Sequence, residues 1–318
     1  MIKVLIIVDK PNWAYDSIAK SLLKYNKNKN LNFTIDYIKK PKFNLERSND
    51  KFDLFFFMGW QSIIKKNFFG NYQLRFKNIS KTKIICGIHS HHSWDNRLST
   101  PDHLHYPDER LIKILNSLKS VNLVSKRLYN IFIKSGLENG CLTYNGVDTD
   151  IFQFKKKKLN ENILVGYSGS KKHDWRKGIS KYIIPSSEME GVKLHIAAPE
   201  INYISYNNMY KFYHNIDIYI CASSSEGFSL SVLEALACGK PVISSKVGGC
   251  EEIISNGING FLVEREVKSF KEKIKYFAKN KKEINRMGAS ARKLILENWS
   301  WSKRSKDWYD FILNSLNA

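Results

Sequence analysis

The chain has 318 residues, 43% of them hydrophobic and 13% aromatic, with 51 Lys and Arg against 30 Asp and Glu. That composition excludes a disordered chain and suffices for two domains of ordinary size, each with its own core. A formal charge of +21 favours anionic ligands or peripheral contact with an anionic membrane. It names no partner, because Lys and Asn are enriched throughout, as in KYNKNKN and FKKKKLNEN.

The opening MIKVLIIVDK holds a short apolar run stopped by Asp9 and Lys10. It reads as a first strand and not as a secretory core, and no apolar run approaches the ~20 residues that span a bilayer. The expected location is cytoplasmic. Cys86, Cys141, Cys221, Cys238 and Cys250 form no C-x-x-C pair, so reduced structural thiols are expected, with no zinc site and no disulfide framework.

In chain order, KVLIIVD, FTIDYI, DLFFFMGW, KIICGIH, NLVS and CLTYNGV are short apolar runs bounded by polar residues or Gly. They predict strands, with helices at residues 13–25, 108–118 and 126–135. The polar stretch at about 150–161 predicts a linker. The alternation then restarts with ILVGYSG, VKLHIAA, IDIYICAS and KPVISS as strands. Helices are expected to start near Lys177, Met209 and Ser229. Three more are expected at about 267–279, 281–298 and 300–316. Near-continuous apolar strands alternating with helices predict parallel sheets covered on both faces. The predicted class is therefore α/β, with two doubly wound domains. In such folds ligands bind beyond the carboxyl ends of the strands, and a cleft between two facing domains is the expected site.

The stretch SSSEGFSLSVLEALACGKPVISSKVGG predicts a loop, a helix closed by Gly239, and a strand after Pro241. Glu226 falls on the loop and Glu234 inside the helix. The helix N-terminus near Ser229 to Ser231 favours a phosphate. Two carboxylates beside such an anion suit the vicinal hydroxyls of a nucleoside diphosphate sugar. A bland reading stands next to it. Ser231 and Glu234 fit a capping box, and Glu226 could be a solvated loop residue.

The segment EGFSLSVLEALACGKPVISSKVGGCEEIISNGINGFLV closely resembles the donor-binding signature of the retaining GT-B glycosyltransferases of the group 1 type (family 4). The resemblance implies that Glu226 contacts the donor sugar and Glu234 the ribose. It also implies that the backbone of Gly227, Phe228, Ser229 and Leu230 turns around sugar and phosphate. LTYNGVDTDIF, YKFYHNIDIYICAS and NWSWSKRSKDWYDFIL fall in the family's order. The resemblance is good over about residues 121–318 and weak before them. It implies an N-terminal acceptor-binding domain over 1–150, a nucleotide-sugar domain over 151–300, and a terminal helix over 301–318 that packs back on the first domain.

GYSGSKKHDWRKGI occupies the place of the family's diphosphate loop. Gly169 and Lys177 match, but the expected Arg position holds Ser170, so Lys171, Lys172 or Arg176 is left to supply the second cation. Guanidinium and ammonium are not equivalent on phosphate. The bland reading of this loop is a solvated basic segment.

The first domain departs from the pattern, with DKPNWAYDSIAKSL where the family often has a Gly-rich loop. Trp13 reads either as a hydrophobic staple at the helix start or as a stacking surface for an acceptor. IICGIHSHHSWDN groups His89, His91, His92 and Asp95. The spacing is too tight for a convincing metal site. The resemblance implies that His89 faces the donor sugar across the cleft, with His92 and Asp95 on the acceptor side.

The resemblance implies a metal-independent, cofactor-free hexosyltransferase acting on a glycan or lipid-linked acceptor, with a UDP- or GDP-sugar as co-substrate, and no nucleic acid partner is expected. In the family's front-face mechanism the leaving diphosphate acts as base. Catalytic roles then fall to Glu226, His89 and Lys177. The competing class is a non-catalytic binder of nucleic acid or anionic surfaces on the same scaffold. A sugar-nucleotide epimerase or phosphorylase on this fold is a third reading, and no lysine environment suggests pyridoxal phosphate.

Overall fold

The computed structural model describes residues 1–91, 104–158 and 160–317. Chain contacts divide it into two compact units, Met1–Asn145 with Arg304–Ala318, and Gly146–Lys303. The sequence reading sets its divisions at 150/151 and 300/301. Gly146 and Val147 belong with the second unit because they pair there. The Val147 N–H donates to Trp299 O, and the Trp301 N–H donates to Val147 O. A side chain at Gly146 would meet the Trp301 backbone at 2.9 Å.

The first unit is built on β1 (Ile2–Val8), β2 (Leu31–Tyr37), β3 (Leu54–Phe57), β6 (Ile84–Ile88), β7 (Ser120–Leu123) and β8 (Gly140–Leu142). They form one sheet in the order β2-β1-β3-β6-β7-β8, parallel at every pairing. Val4 to Val8 and Leu54 to Phe57 are buried on both faces, as continuous apolar runs in a covered parallel sheet must be. Between β3 and β6 stands an antiparallel hairpin, β4 (Ile64–Lys66) with β5 (Tyr72–Leu74). Its three-residue strands are too short to show a periodicity, and the sequence reading does not contain it.

Helix Trp301–Asn317 contributes its later turns to this unit. Trp308 is fully buried. Its indole Nε1 donates to Tyr144 O at 2.7 Å, and the Tyr309 hydroxyl donates to Leu22 O at 2.9 Å. Phe56 receives Trp308 and Phe311, each at 5.9 Å between ring centroids.

The second unit holds β9 (Ile163–Ser168), β10 (Val192–Ala197), β11 (Ile218–Cys221), β12 (Val242–Ser245) and β13 (Gly260–Val263). Their order is β10-β9-β11-β12-β13, again parallel throughout. The edge strand β13 is absent from the sequence reading, since GFLV is four residues long and follows a Gly- and Asn-rich turn. The expected helix near Lys177 is also different. A short turn, Asp174–Lys177, closes at Gly178, and a new helical run starts at Ile179. Gly178 has φ +68, and a Cβ there would meet Ala222 O at 2.8 Å. No described helix is long and apolar enough to cross a membrane.

Candidate functional site

The site grows from the carboxyl ends of β9 and β11. After β11 the chain runs through the loop at 222–229 and enters helix Leu230–Ala237, whose N-cap is Ser229. Gly239 ends the helix with φ +74, and any Cβ would strike the Phe154 ring at 2.4 Å. Ser229 makes no side-chain capping bond. The capping-box reading therefore fails. Ser231 is already inside the helix, and the Glu234 carboxylate accepts from the Tyr213 hydroxyl at 2.7 Å instead.

The solvated-loop reading of Glu226 fails as well. Glu226 is 8% exposed. Its Oε1 lies 2.5 Å from Lys177 Nζ and 3.2 Å from Arg176 Nη1. Arg176 Nη1 also donates to Ser225 O at 2.6 Å. Burial pushes the Glu226 carboxyl up, but Lys177, Arg176 and the Ser223 hydroxyl together outweigh it and hold the group at about 2. The anionic form is thus favoured by folding. Its stabilising contribution is complete above the ordinary carboxyl value of 4.5 and is lost as pH falls toward about 2.

Glu234 behaves oppositely. Burial raises it to about 7, and the bond from fully buried Tyr213 only partly offsets that. Two carboxylates with seven residues between them are thereby shifted in opposite directions, Glu226 toward the anion and Glu234 toward the acid. Because Tyr213 donates to the anion, Tyr213→Phe is expected to raise the Glu234 midpoint from about 7 by roughly one pH unit, the worth of one hydrogen bond to a charged group. Carboxyl ¹³C NMR of glutamate-labelled protein measures it. An unchanged midpoint would mean that Tyr213 does not set the carboxyl's state.

The loop after β9 comes to the same place. Gly169 has φ +150, and a Cβ there would meet Tyr167 Oη at 2.5 Å. Ser170, standing where a cation is expected, donates its hydroxyl to Glu200 Oε1 at 2.5 Å, and the Lys171 N–H donates to Glu200 Oε2. Lys171 and Lys172 are exposed, whereas Arg176 is buried against Glu226. Of the three candidate replacements, Arg176 is therefore the one brought to the carboxylate.

Three further residues shape the site: Arg265, outside the signature segment, and Gly248 and Gly249, inside it. Arg265 ties the two loops together, donating to Ala222 O at 2.8 Å and Arg176 O at 3.1 Å. Gly248 and Gly249 lie directly on the Glu226 loop. The Gly249 N–H donates to Gly227 O. A Cβ at Gly248 would be 2.2 Å from Glu226 O, and one at Gly249 would be 2.1 Å from the Phe228 ring. Phe228 itself is buried beside Trp299.

The remaining candidates are on the first unit. Trp13 is the N-cap of helix Ala14–Lys24 and is 46% exposed. It is not a buried staple, and Lys10 Nζ covers one face of its ring at 3.2 Å. His89 follows β6 and contacts the rings of Tyr15 and Trp308. Burial lowers its pKa to about 3, so the imidazole is neutral, and its buried Nε2 has no hydrogen-bond partner. His92 and Asp95 lie outside the described residues.

Residues 189–294 match the family model for glycosyl transferases group 1. An uncharacterized glycosyltransferase of Methanocaldococcus jannaschii is 27% identical over 266 residues, 71% of this chain and 75% of that protein. The trehalose synthase of Pyrococcus horikoshii is 39% identical over 102 residues, but these are 32% of this chain and 24% of the relative. Among solved structures, Anabaena HepE with UDP and glucose superposes with a TM-score of 0.74 at 12% identity, covering 98% of this chain and 100% of that one. The sucrose-phosphate synthase of Thermosynechococcus elongatus gives 0.72 at 13% identity, covering 99% of each. The fold is that of the GT-B glycosyltransferases, and residues 189–294 of its second unit match the glycosyl transferases group 1.

Proposed function

We propose that the chain is a retaining glycosyltransferase that moves a hexose from a nucleoside diphosphate sugar to a glycan or lipid-linked acceptor. The observation that carries this reading is Glu226. It is a buried carboxylate kept ionised by Lys177 and Arg176, next to a helix start with no side-chain cap. A polar cluster of this kind is costly to bury. It is useful where sugar hydroxyls need an anion and a departing diphosphate needs cations. Anabaena HepE, which shares the fold, was solved in complex with UDP and glucose, and this supports a nucleotide sugar as co-substrate.

In this reading Glu226 accepts from sugar hydroxyls and Glu234 from the ribose. Lys177 and the helix start stabilise the charge that develops on the leaving diphosphate. That diphosphate takes the proton of the incoming hydroxyl, so no side-chain nucleophile is needed. Orientation and fixed charges supply the rate. His89, neutral and with a free Nε2, is suited to a hydrogen bond with a sugar hydroxyl and not to ion pairing.

A panel of UDP- and GDP-sugars tests the proposal. The true donor is expected to raise the unfolding temperature and to be consumed with release of the diphosphate when an acceptor extract is added. No stabilisation by any member would remove the donor assignment. Transfer is further expected to survive excess EDTA, because protein cations take the place of a divalent ion. Loss of activity restored by Mn²⁺ would overturn that part.

A further inference from the structure

The most exposed large apolar side chain among the described residues is Phe68, at 96%, and its neighbour Phe69 is 80% exposed. Both sit at the tip of the β4–β5 hairpin. Their rings touch each other edge to face at 5.6 Å between centroids. Turn tips ordinarily carry Gly, Asn, Asp or Ser. Two adjacent phenylalanines there cost solvation and gain little within the chain.

The tip is well built. The Asn67 N–H donates to Asn71 O, and the Gly70 N–H donates to Asn67 O. The Asn71 N–H donates to Asn67 Oδ1 at 2.9 Å. Gly70 takes φ +74 to close the turn. The base is anchored by Ile63 and Ile64, both buried, by Trp60 against Tyr72, and by the Arg75 N–H donating to Ile63 O at 2.7 Å. A firm stalk thus holds two phenylalanines outward.

The surrounding charge has one sign. From Leu54 to Trp94 the sequence contains no Asp or Glu, but it contains Lys65, Lys66, Arg75, Lys77, Lys81 and Lys83. Lys65, Lys66, Arg75 and Lys77 are exposed. Among the described residues, Asp108 and Glu46 approach the lower hairpin, and both are engaged. Asp108, near Tyr72, accepts from the Leu111 N–H, and Glu46 accepts from the Lys77 N–H. Lys66 and Lys65 stand two and three residues from Phe68, roughly 7–10 Å along a strand. An apolar tip with a cationic collar at that depth matches a bilayer interface, where rings enter the acyl boundary and ammonium groups meet phosphates.

We infer that the Phe68–Phe69 hairpin is a wedge by which this protein docks on an anionic lipid surface. A second copy of the chain is a poorer occupant. A two-fold contact at this tip would bring the same lysines and no carboxylate face to face. The wedge lies on the first unit and does not depend on the donor assignment.

The test is flotation of the full chain with vesicles of phosphatidylcholine alone or mixed with phosphatidylglycerol. Wild type is expected to float with the anionic vesicles. Phe68→Ser with Phe69→Ser is expected to weaken that partitioning roughly 30-fold or more, the loss of two partly inserted aromatic rings. Lys65→Gln and Lys66→Gln should each cost about 5-fold. Phe68→Leu with Phe69→Leu should retain most of the binding. Lys156→Gln, in an exposed stretch of the second unit, should change little. Unfolding temperatures should move little, because both replaced rings are exposed, at 96% and 80%. Partitioning of the double serine variant equal to wild type overturns the proposal. So does a wild-type self-association, seen by sedimentation without lipid, that the serines abolish, or equal binding to an acidic protein and to neutral vesicles.

Discussion

Glu226→Gln is expected to lower turnover about 100-fold or more, in line with the loss of one preorganised polar contact in a site of this kind. The substitution keeps the volume and removes the charge. It also removes the common partner of Lys177 and Arg176, which approach the same oxygen at 2.5 and 3.2 Å. A structural cost must therefore accompany the kinetic one. Breaking a buried ion pair from one side costs ~3–5 kcal/mol. Arg176 keeps its bond to Ser225 O, so the lower end is expected. Steady-state kinetics measures the first effect and urea unfolding at neutral pH the second. The two are separable by pH. Wild type should lose stability as pH falls from 4.5 toward about 2, because the folded carboxylate then takes up a proton it resists. The Gln variant has no such group and should lack that part of the slope. Turnover within a factor of two of wild type would remove Glu226 from the reaction, whatever its effect on stability.

Local sequence carried the large elements well because its pattern is set by burial on both faces of a parallel sheet. Val4 to Val8 and Ile218 to Cys221 are apolar without interruption, and both are strands. Helix Val267–Lys279 coincides with its expectation because its apolar stripe is long and regular. What was illegible depends on distance in sequence. The Ser231–Glu234 spacing satisfies a capping box on paper. The helix begins one residue before that serine, and Tyr213, twenty-one residues away, takes the carboxylate. The pairing of Glu226 with Lys177 spans forty-nine positions, so no spacing rule reaches it. Arg176 and Lys177 are neighbours in sequence and meet the same Glu226 oxygen, yet the fold leaves Arg176 the more deeply buried of the two. Trp13 resembles a staple because apolar residues flank the helix start, yet its ring remains half exposed under Lys10. Phe68 and Phe69 are exposed because the turn closed by Asn67, Gly70 and Asn71 places them outside, which the apolar pair alone does not indicate.

Lys177→Ala should weaken donor binding by roughly 10- to 150-fold, the equivalent of the ~1.5–3 kcal/mol of one hydrogen bond to a charged phosphate. The control that gives the number meaning is Lys156→Ala. Lys156 is exposed in the polar stretch before β9, and its removal changes the net charge by the same amount. If affinity came from the general field of a +21 protein, the two variants would lose equally little, since exposed charges are screened within ~8–10 Å at moderate salt. If the phosphates meet a formed site, only Lys177 matters. Its Nζ is held by Glu226 at 2.5 Å, so the ammonium is already placed and little ordering remains to oppose binding. The substitution also takes one of two cations from Glu226. Arg176 remains at 3.2 Å, which keeps the carboxylate ionised at neutral pH and confines the expected change to affinity. Both dissociation constants should be measured by calorimetry at one fixed salt concentration, and the Lys177 difference should persist when salt is raised. Equal small losses that vanish in salt would mean that diffuse charge holds the ligand. That result would favour a non-catalytic binder of polyanions over a transferase.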